Sequence, residues 1–443
     1  MRRILLGFIV IVASITTSIV DYVGERFKIH QRYVSNAGKE WLTAIEAGDS
    51  NSGFSTIAYM EEAPVVTTQS ASYSRDVMTR ELRTYPEAIL RAALRRPATL
   101  QWIGEARIGG TLAQVISFVD ADANNVALSF DAQTKLLVRS EVLNEHPYLG
   151  QAVAASVYLD YRKTGALLLP YRMELWRNEE PLRFSRVSRI ELNPRLDDAL
   201  LSQPAERIDA PPTQNEPALR SLGNDIYAVL GGDNSMFAVF PDYVVLLEAP
   251  RRESYARRIF DAVRSVAPGK PIKLVSTHFH EDHIAGVRYA VSQGAEIWTT
   301  AHAKTEIERK LSTRWTLRPD EFARAPREAT IRIVDKKHVF AAGQQRVEIA
   351  QIGPTEHVDQ MLAAYFPAID TLYTADVWDV PGPGVPTPGL DAAQIVPRIN
   401  ALGWKVERML PTHGFPASVE ELNRSLEIRA RYVTDADARH RLQ

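Results

Sequence analysis

The stretch Thr277–Gly286, THFHEDHIAG, concentrates side chains that bind metals. It holds three histidines and an aspartate within six consecutive positions, in a chain of 443 residues with ten histidines in all. Three imidazoles this close together have no packing rationale, because histidine is not a preferred core residue. Alternate side chains of an extended segment point the same way, so His278 and His280 can face one point. Asp282 and His283 come after the bend and can face a second point nearby.

Further ligands are expected downstream of this motif. Imidazole and carboxylate groups suit Zn²⁺, with bonds of about 2.0–2.2 Å, and a metal site takes three or more protein ligands. Each further ligand should follow a strand, because functional residues cluster in loops at one edge of a sheet. Three residues meet this condition: His357 in GPTEH after RVEIAQI, Asp376 directly after TLYTA, and His413 after ERMLP.

The order of these elements resembles that of the metallo-β-lactamase-fold hydrolases. The shared pattern is HxHxDH, then a later histidine, an aspartate after a strand, and a final histidine before glycine. The resemblance covers about Ser221 to the C-terminus and implies an αβ/βα sandwich with a dinuclear metal site at one edge. It implies one metal on His278, His280 and His357, a second metal on Asp282, His283 and His413, and Asp376 as the bridge between them.

The aspartate at position 376 makes the ligand set similar to those of the glyoxalase II and lactonase branches. The chain has no cysteine, which excludes the large group of zinc β-lactamases that use a cysteine ligand at this place. Two positions depart from the family pattern. Glu248 stands where the family has an aspartate, and we expect it to be either a carboxylate at a helix start or a partner behind the ligands. The sequence Val358-Asp359-Gln360 replaces the usual turn after the third histidine.

The resemblance implies a metal-dependent hydrolase that uses a metal-bound hydroxide on a small-molecule ester, lactone, thioester or amide-type substrate. Two divalent cations lower the pKa of a shared water from 15.7 toward about 7. The family often assigns proton acceptance to Asp282, which makes it the candidate catalytic residue. The expected cofactor is two Zn²⁺ per chain, with iron or a mixed pair as the alternative. Two other functions stay open: a mononuclear iron sulfur dioxygenase on the same fold, and a lipid-like ligand-binding protein with a structural metal site.

The length of the chain predicts two domains. Residues 38–193 contain β-like runs separated by turn signals and are expected to form a β-rich accessory domain. Residues 194–220 are rich in proline and aspartate and are expected to be a linker, and residues 221–443 the hydrolase domain. The predicted class is therefore α+β, a sandwich preceded by a smaller antiparallel β-rich domain. Residues 160–176 are also similar to stretches of curved-sheet domains in exported lipid-handling proteins.

The N-terminus, MRRILLGFIVIVASITTSIV, places two arginines before an apolar run. This is typical of a secretory signal, so residues 1–25 are expected to be a signal peptide or an uncleaved anchor. The protein is then exported, to the periplasm or the medium, with residues 4–20 as a membrane tether if the leader stays. A net charge of −2 provides no basic face for nucleic acid, which is excluded as a partner.

The remaining histidines have no ligand-spaced neighbour in the sequence, so we expect them to be surface or core residues: His30, His146, His302, His338 and His440. The run after Asp376, VWDVPGPGVPTPG, is rich in proline and glycine. It fits either a substrate lip carrying Trp378 or an ordinary surface loop.

Overall fold

The computed structural model describes most of the chain. Apart from a few single positions, the described residues are 14–21, 26–34, 40–49, 51–59, 63–71, 84–146, 150–195, 202–210, 217–355, 357–380 and 392–427. They divide into two compact units. The first unit comprises the described residues of 1–74, 201–311 and 324–443, and the second comprises those of 75–200 and 312–323. The domain boundaries expected from the sequence stay predictions.

The N-terminal part of the first unit is an antiparallel meander of five strands, with a short sixth strand parallel to the fifth. The strands are β1 (Ser14–Asp21), β2 (Arg26–Val34), β3 (Glu40–Gly48), β4 (Gly53–Tyr59), β5 (Val65–Gln69) and β13 (Ile208–Asp209). Strand β1 overlaps the expected leader, and residues 1–13 and 22–25 lie outside the described residues. In the described part of the chain, none of the helices combines the length and hydropathy that crossing a bilayer requires.

The second unit is a seven-stranded antiparallel sheet in which consecutive strands are neighbours. Its strands are β6 (Gln101–Ile108), β7 (Thr111–Val119), β8 (Asn125–Asp131), β9 (Leu137–His146), β10 (Gly150–Thr164), β11 (Leu167–Arg177) and β12 (Glu180–Arg186). Helix α1 (Pro86–Leu94) starts with a proline, whose missing N–H costs nothing in the first turn. Its residues Ile89 and Ala93 are one helical turn apart and pack with Phe118 and Leu128 in one buried cluster.

The C-terminal half contains a first mixed sheet of seven strands. They are β14 (Ala218–Gly223), β15 (Ile226–Leu230), β16 (Ser235–Val239), β17 (Val244–Leu247), β18 (Ile272–Val275), β19 (Glu296–Thr299) and β20 (Ile331–Ile333). The helices that follow β17 are α2 (Glu253–Val266), α3 (Glu281–Ile284), α4 (Val287–Ser292), α5 (Ala301–Ser312) and α6 (Glu321–Arg324). Strands β17 to β20 are parallel, so each pair is joined by a helical crossover, as parallel neighbours require.

A second mixed sheet of six strands completes this half. Its strands are β21 (Lys337–Ala342), β22 (Gln345–Gln351), β23 (Leu362–Phe366), β24 (Thr371–Ala375), β25 (Arg408–Pro411) and β26 (Ala417–Ser418). Helix α7 (Ala392–Leu402) joins the parallel strands β24 and β25, and residues 419–427 form a further helix. Trp378 is only 1% exposed and packs with Ile395 of α7. Trp378 is therefore a core residue, and most of the proline- and glycine-rich run that follows it, residues 381 and 383–391, lies outside the described residues.

The two mixed sheets pack face to face through one buried cluster. Met236 and Leu247 of the first sheet belong to this cluster together with Val347, Ala364 and Tyr373 of the second. These strands are hydrophobic almost throughout, as expected for strands covered on both faces. The α+β class predicted from the sequence, an αβ/βα sandwich in a chain with additional β-rich regions, is confirmed by this strand order.

Candidate metal centre

The residues predicted to bind metal lie in loops at one edge of the sandwich. His278 and His280 follow β18, and α3 carries the aspartate and histidine of the motif. Asp376 directly follows β24, and His413 comes two residues after β25. The carboxyl ends of parallel strands face one edge of a sheet, where α/β proteins bind their ligands. Strand direction therefore brings together side chains that are more than a hundred residues apart.

The first group of side chains consists of His278, His280, His357 and Asp376, each of which offers one nitrogen or oxygen atom within 4.8 Å of the others. The Nε2 atoms of His357 and His278 are 3.3 Å apart. Asp376 Oδ2 lies 3.4 Å from His357 Nε2 and 3.8 Å from His278 Nε2. The imidazole rings of His280 and His357 have centroids 4.4 Å apart and meet edge to face.

The second group consists of Asp282, His283, His413 and again Asp376, with the same limit of 4.8 Å between ligand atoms. Asp282 Oδ2 is 2.9 Å from His413 Nε2 and 3.8 Å from His283 Nε2. His283 Nε2 is 2.9 Å from Asp376 Oδ2, and His413 Nε2 is 3.5 Å from Asp376 Oδ1. All seven predicted residues are thus brought together, and Asp376 belongs to both groups.

Two separations in the first group match those expected around a divalent cation. Tetrahedral ligands at about 2.0–2.2 Å from Zn²⁺ are separated from each other by about 3.3–3.6 Å. The separations of 3.3 Å between His357 and His278 and of 3.4 Å between His357 and Asp376 fall in that range. Asp376 Oδ1 is buried and, among the described residues, has no hydrogen-bond partner. A bridging carboxylate needs such an uncommitted oxygen for its second metal.

Glu248, directly after β17, lies behind the second group. Its side chain is fully buried, and its Oε1 accepts a hydrogen bond of 2.8 Å from the backbone N–H of Thr277. The same oxygen is 3.3 Å from His283 Nδ1, the ring nitrogen that points away from Asp376. Of the two roles expected for Glu248, the structure therefore favours the second, a partner that lies behind the candidate ligands. A carboxylate on the outer nitrogen of a ligating histidine fixes its tautomer and orientation.

A second outer carboxylate, Asp233, was not predicted from the sequence. It lies in the turn between β15 and β16 and has its Oδ1 2.8 Å from His413 Nδ1. Thr277 Oγ1 is 3.0 Å from His278 Nδ1 and is the corresponding neutral contact in the first group. The sequence signal for Asp233 is GGDNS, a polar turn between two apolar strands at the same sheet edge.

Two histidines of the first group, His278 and His280, are neutral at pH 7. Burial, with the neighbouring His283 next in weight, lowers the pKa of His278 well below its usual value. Burial and His357 lower the pKa of His280 to about 4. Neutral imidazoles have a free lone pair, which is the form that binds a metal.

The histidines of the second group have the opposite electrostatics. Burial alone would lower the pKa of His283, but Glu248 and Asp376 raise it to about 10. Burial likewise opposes protonation of His413, yet Asp233 and Asp282 raise its pKa to about 11. Burial would raise the pKa of Asp376, but His283 leads the contacts that hold it well below its usual range. The carboxylates around the second group therefore strongly stabilise positive charge at this position.

The last residue of the opening motif, Gly286, permits a close approach of two chain segments. A Cβ at this position would lie 2.2 Å from the carbonyl oxygen of Ala249 and 2.7 Å from the Cβ of Ala256. The Gly286 N–H also donates to that same carbonyl, at 3.1 Å. Any side chain here would push the helical part of the motif away from the loop after β17, which carries Glu248.

No family model and no curated protein matches the chain. Solved structures match about half of it. The metallo-β-lactamase from Hirschia baltica is 18% identical, with 48% of this chain and 97% of that protein covered and a TM-score of 0.36. The metallo-β-lactamase from Pontibacter korlensis is 15% identical, with coverages of 48% and 99% and a TM-score of 0.36. FIM-1 from Pseudomonas aeruginosa, in its mono-zinc form, is 14% identical, with coverages of 50% and 98% and a TM-score of 0.38.

The class of fold rests on the chain's own features. Two mixed sheets face each other, helical crossovers join the parallel strands of each, and seven candidate ligands lie at one edge in the predicted order. The resemblance to the metallo-β-lactamase fold inferred from the motif is confirmed in these terms.

Proposed function

We propose that the chain is a metal-dependent hydrolase that acts on a small-molecule ester, lactone, thioester or amide-type substrate. The observation that carries this proposal is the pair of ligand groups that share Asp376. Two groups joined by one carboxylate are suited to two cations a short distance apart, the arrangement that hydrolases use to hold both reacting oxygens. Zn²⁺ is the cation we propose first, because the ligands are imidazole nitrogens and carboxylate oxygens.

The completeness of the second group favours two cations over a single iron. Asp282, His283 and His413 supply three protein ligands of their own, in addition to the shared aspartate. A single iron ion would occupy only one of the two groups and leave the other without a cation. A purely structural zinc takes four ligands, so seven convergent side chains also favour a catalytic centre over a structural one.

The exposure of the candidate ligands indicates the side from which a substrate approaches. The His278 and His283 side chains are fully buried, whereas the His357 and His413 side chains are 28% and 27% exposed and that of Asp282 is 47% exposed. We therefore propose that the substrate enters on the side where Asp282, His357 and His413 are exposed.

Bound divalent cations would polarise a substrate oxygen and lower the pKa of a water molecule. Side chains of the protein would hold the two groups in place and transfer the proton. Asp376 is buried between the two groups and would hold them at a fixed separation. Asp282 is the most exposed of the candidate ligands and is paired with His413 through Oδ2. Its carboxylate would accept a proton from the attacking water and is open to solvent for releasing it.

A substrate panel on metal-loaded protein tests the proposal. Hydrolysis of at least one ester, lactone or thioester is expected, together with its loss on chelation and its recovery when Zn²⁺ is restored. The variant His278→Ala should lose the same activity, and His338→Ala, a histidine that packs between Trp298 and Phe340, serves as the matched control. Hydrolysis that survives chelation would end this proposal. Iron in the purified protein, with oxygen uptake, would favour the dioxygenase.

We also propose that the protein is exported, because of the charged and apolar leader at residues 1–25. The mass of the mature chain recovered from cell fractions tests this. A cleaved chain in the periplasmic or secreted fraction supports a signal peptide, and an intact chain in the membrane fraction supports a tether through residues 4–20. An intact chain in the cytoplasm contradicts export.

A further inference from the structure

The turn between β15 and β16 places a buried carboxylate on the outer nitrogen of a candidate ligand. The side chain of Asp233 is 4% exposed, and its Oδ1 is 2.8 Å from His413 Nδ1. The backbone of Asp233 is held as well. Its N–H donates to Tyr255 Oη at 3.1 Å, and the Tyr255 hydroxyl donates to the carbonyl oxygen of Asp233 at 2.6 Å. The carboxylate therefore has a fixed position relative to the imidazole.

Arg251 holds the same carboxylate from the other side. Its Nε donates to Asp233 Oδ2, and its Nη2 donates to Oδ1 at 3.2 Å. The guanidinium also lies over the ring of Tyr255, with the central carbon 5.3 Å from the ring centroid. A buried carboxylate that is paired with a planar guanidinium keeps its charge and its orientation.

The backbone of Arg251 closes a loop of contacts around the second group. Its N–H donates to the carbonyl oxygen of Asp282 at 2.7 Å, and Asp282 Oδ2 is 2.9 Å from His413 Nε2. Arg251 adopts a φ of 61°, in the left-handed region. Strain of this kind at a residue other than glycine persists where surrounding contacts require it, and it is concentrated at functional sites.

We infer that Asp233 and Arg251 form a positioning pair that sets the tautomer of His413 and thereby the cation affinity of the second ligand group. This inference rests on the proposed metal-dependent function. A carboxylate that accepts the proton on Nδ1 leaves the Nε2 lone pair directed at the cation, whereas a proton on Nε2 would block it. Both residues act through their contacts with His413 and Asp282, so they are positioning residues and not catalytic residues.

The variant Asp233→Asn is the sharpest test, because the side chain keeps its size. An asparagine amide can donate to His413 Nδ1, which favours the tautomer with its proton on Nε2. Substitution of an outer partner of this kind costs about 10–100-fold in metal affinity. Full-length protein loaded with Zn²⁺ should therefore hold two cations in the wild type. In the variant, one of the two should be released to a chromophoric chelator at an about 10–100-fold lower chelator concentration.

Two matched controls separate positioning from general damage. Glu348→Gln changes another buried carboxylate that is paired with a guanidinium, that of Arg346 at 2.7 Å. Arg251→Met should weaken the binding of the same cation as Asp233→Asn does. Arg257→Met is its control, because Arg257 also pairs with a carboxylate and lies over an aromatic ring. Long-range ¹H–¹⁵N spectra of the proteins in the presence of Zn²⁺ should show His413 protonated on Nδ1 only in the wild type and in both controls, and no longer so in Asp233→Asn.

The outcomes distinguish this inference from the proposed function. Wild-type protein that holds no Zn²⁺ would overturn both. Wild-type protein with two cations, and variants at Asp233 and Arg251 that retain both equally well, would overturn the positioning role and leave the hydrolase proposal intact. Equal loss of cation in Glu348→Gln or Arg257→Met would also overturn it, because the effect would then be one of stability. Selective loss of one cation, with the tautomer change, supports it.

Discussion

The two halves of the candidate metal centre use nearly the same residue types and have opposite electrostatics. In the first group, burial keeps His278 and His280 neutral at pH 7. In the second group, His283 is fully buried and His413 is partly exposed, and their pKa values are raised to about 10 and about 11. The outer carboxylates Glu248 and Asp233 are a large part of this difference. The residue type of a candidate ligand therefore does not decide whether that histidine is neutral or protonated at pH 7. The side chains around it decide this.

These outer carboxylates come from loops that belong to the first sheet. Glu248 directly follows β17, and Asp233 precedes β16. Both Glu248 and Arg251 adopt a left-handed φ, of 65° and 61°, so the loop after β17 carries two strained positions in four residues. The first group has a neutral hydroxyl, that of Thr277, in the corresponding place behind His278. Four predictions test how far the two groups differ.

The largest effect is expected from Asp376→Asn, because this residue belongs to both groups. Loss of the shared charge should weaken the binding of both cations, so the metal content should fall from two per chain to one or none. The loss of several kcal/mol of electrostatic stabilisation corresponds to about a thousandfold lower kcat/KM. Elemental analysis and steady-state kinetics measure the two effects. A variant that keeps both cations would contradict the sharing of Asp376.

His278→Ala and His413→Ala should separate the two groups. Each variant removes a ligand from one group only, so each should keep about one Zn²⁺ per chain and lose most of the hydrolysis, which needs both cations. Metal analysis after gel filtration, together with circular dichroism to confirm folding, measures this. The two groups would have to be treated as one cooperative site if either variant lost both cations.

The proton balance of metal binding should differ between the groups. At pH 7 the metal-free protein holds a proton on His283 and on His413, since their pKa values lie well above 7. Filling the second group must release about two protons, whereas His278 and His280 of the first group have none to release. The affinity of the second group therefore rises as the pH rises toward about 10, whereas His278 and His280 add no such rise near pH 7 to the affinity of the first group. Calorimetry in buffers of different ionisation enthalpy counts the protons, and equal release at both steps would contradict the comparison.

The smallest effect on the metal centre is expected from Glu348→Gln, a carboxylate that belongs to neither group. Burial opposes its ionisation, but Lys337, Arg346 and Trp404 lower the pKa of Glu348 to about 2. A lowered pKa means that Glu348 stabilises the fold above its usual value of 4.5 and loses this contribution as the pH falls toward 2. The variant should lose about 1–3 kcal/mol of unfolding free energy at pH 7 and keep its metal content.

Denaturant unfolding at several pH values measures the Glu348→Gln effect. The difference from wild type should shrink between pH 4.5 and pH 2. A difference that stays constant across this range would show that the carboxylate's charge is not the cause. Loss of metal in this variant would show that the centre depends on the stability of the whole sandwich.

The sequence predicted the site better than it predicted the surroundings of the site. The seven candidate ligands follow from residue chemistry and from their position after apolar runs, and all of them are brought together. Glu248 left two roles open in the sequence, because a carboxylate after a strand can serve either. Asp233 and Arg251 were missed because their role depends on a contact with His413, which is 180 residues away from Asp233.

The sequence by itself determined the types of the candidate ligands and their order along the chain, because these depend on side-chain chemistry, and the resemblance of that order to a known family implied the αβ/βα class. Only the tertiary structure decided which carboxylate stands behind which histidine, which ligands face solvent, and that Trp378 is a core residue. The physical reason is that pKa values and exposure depend on neighbours in space. Those neighbours come from the strands of both sheets, and no pattern within one segment records how two sheets meet.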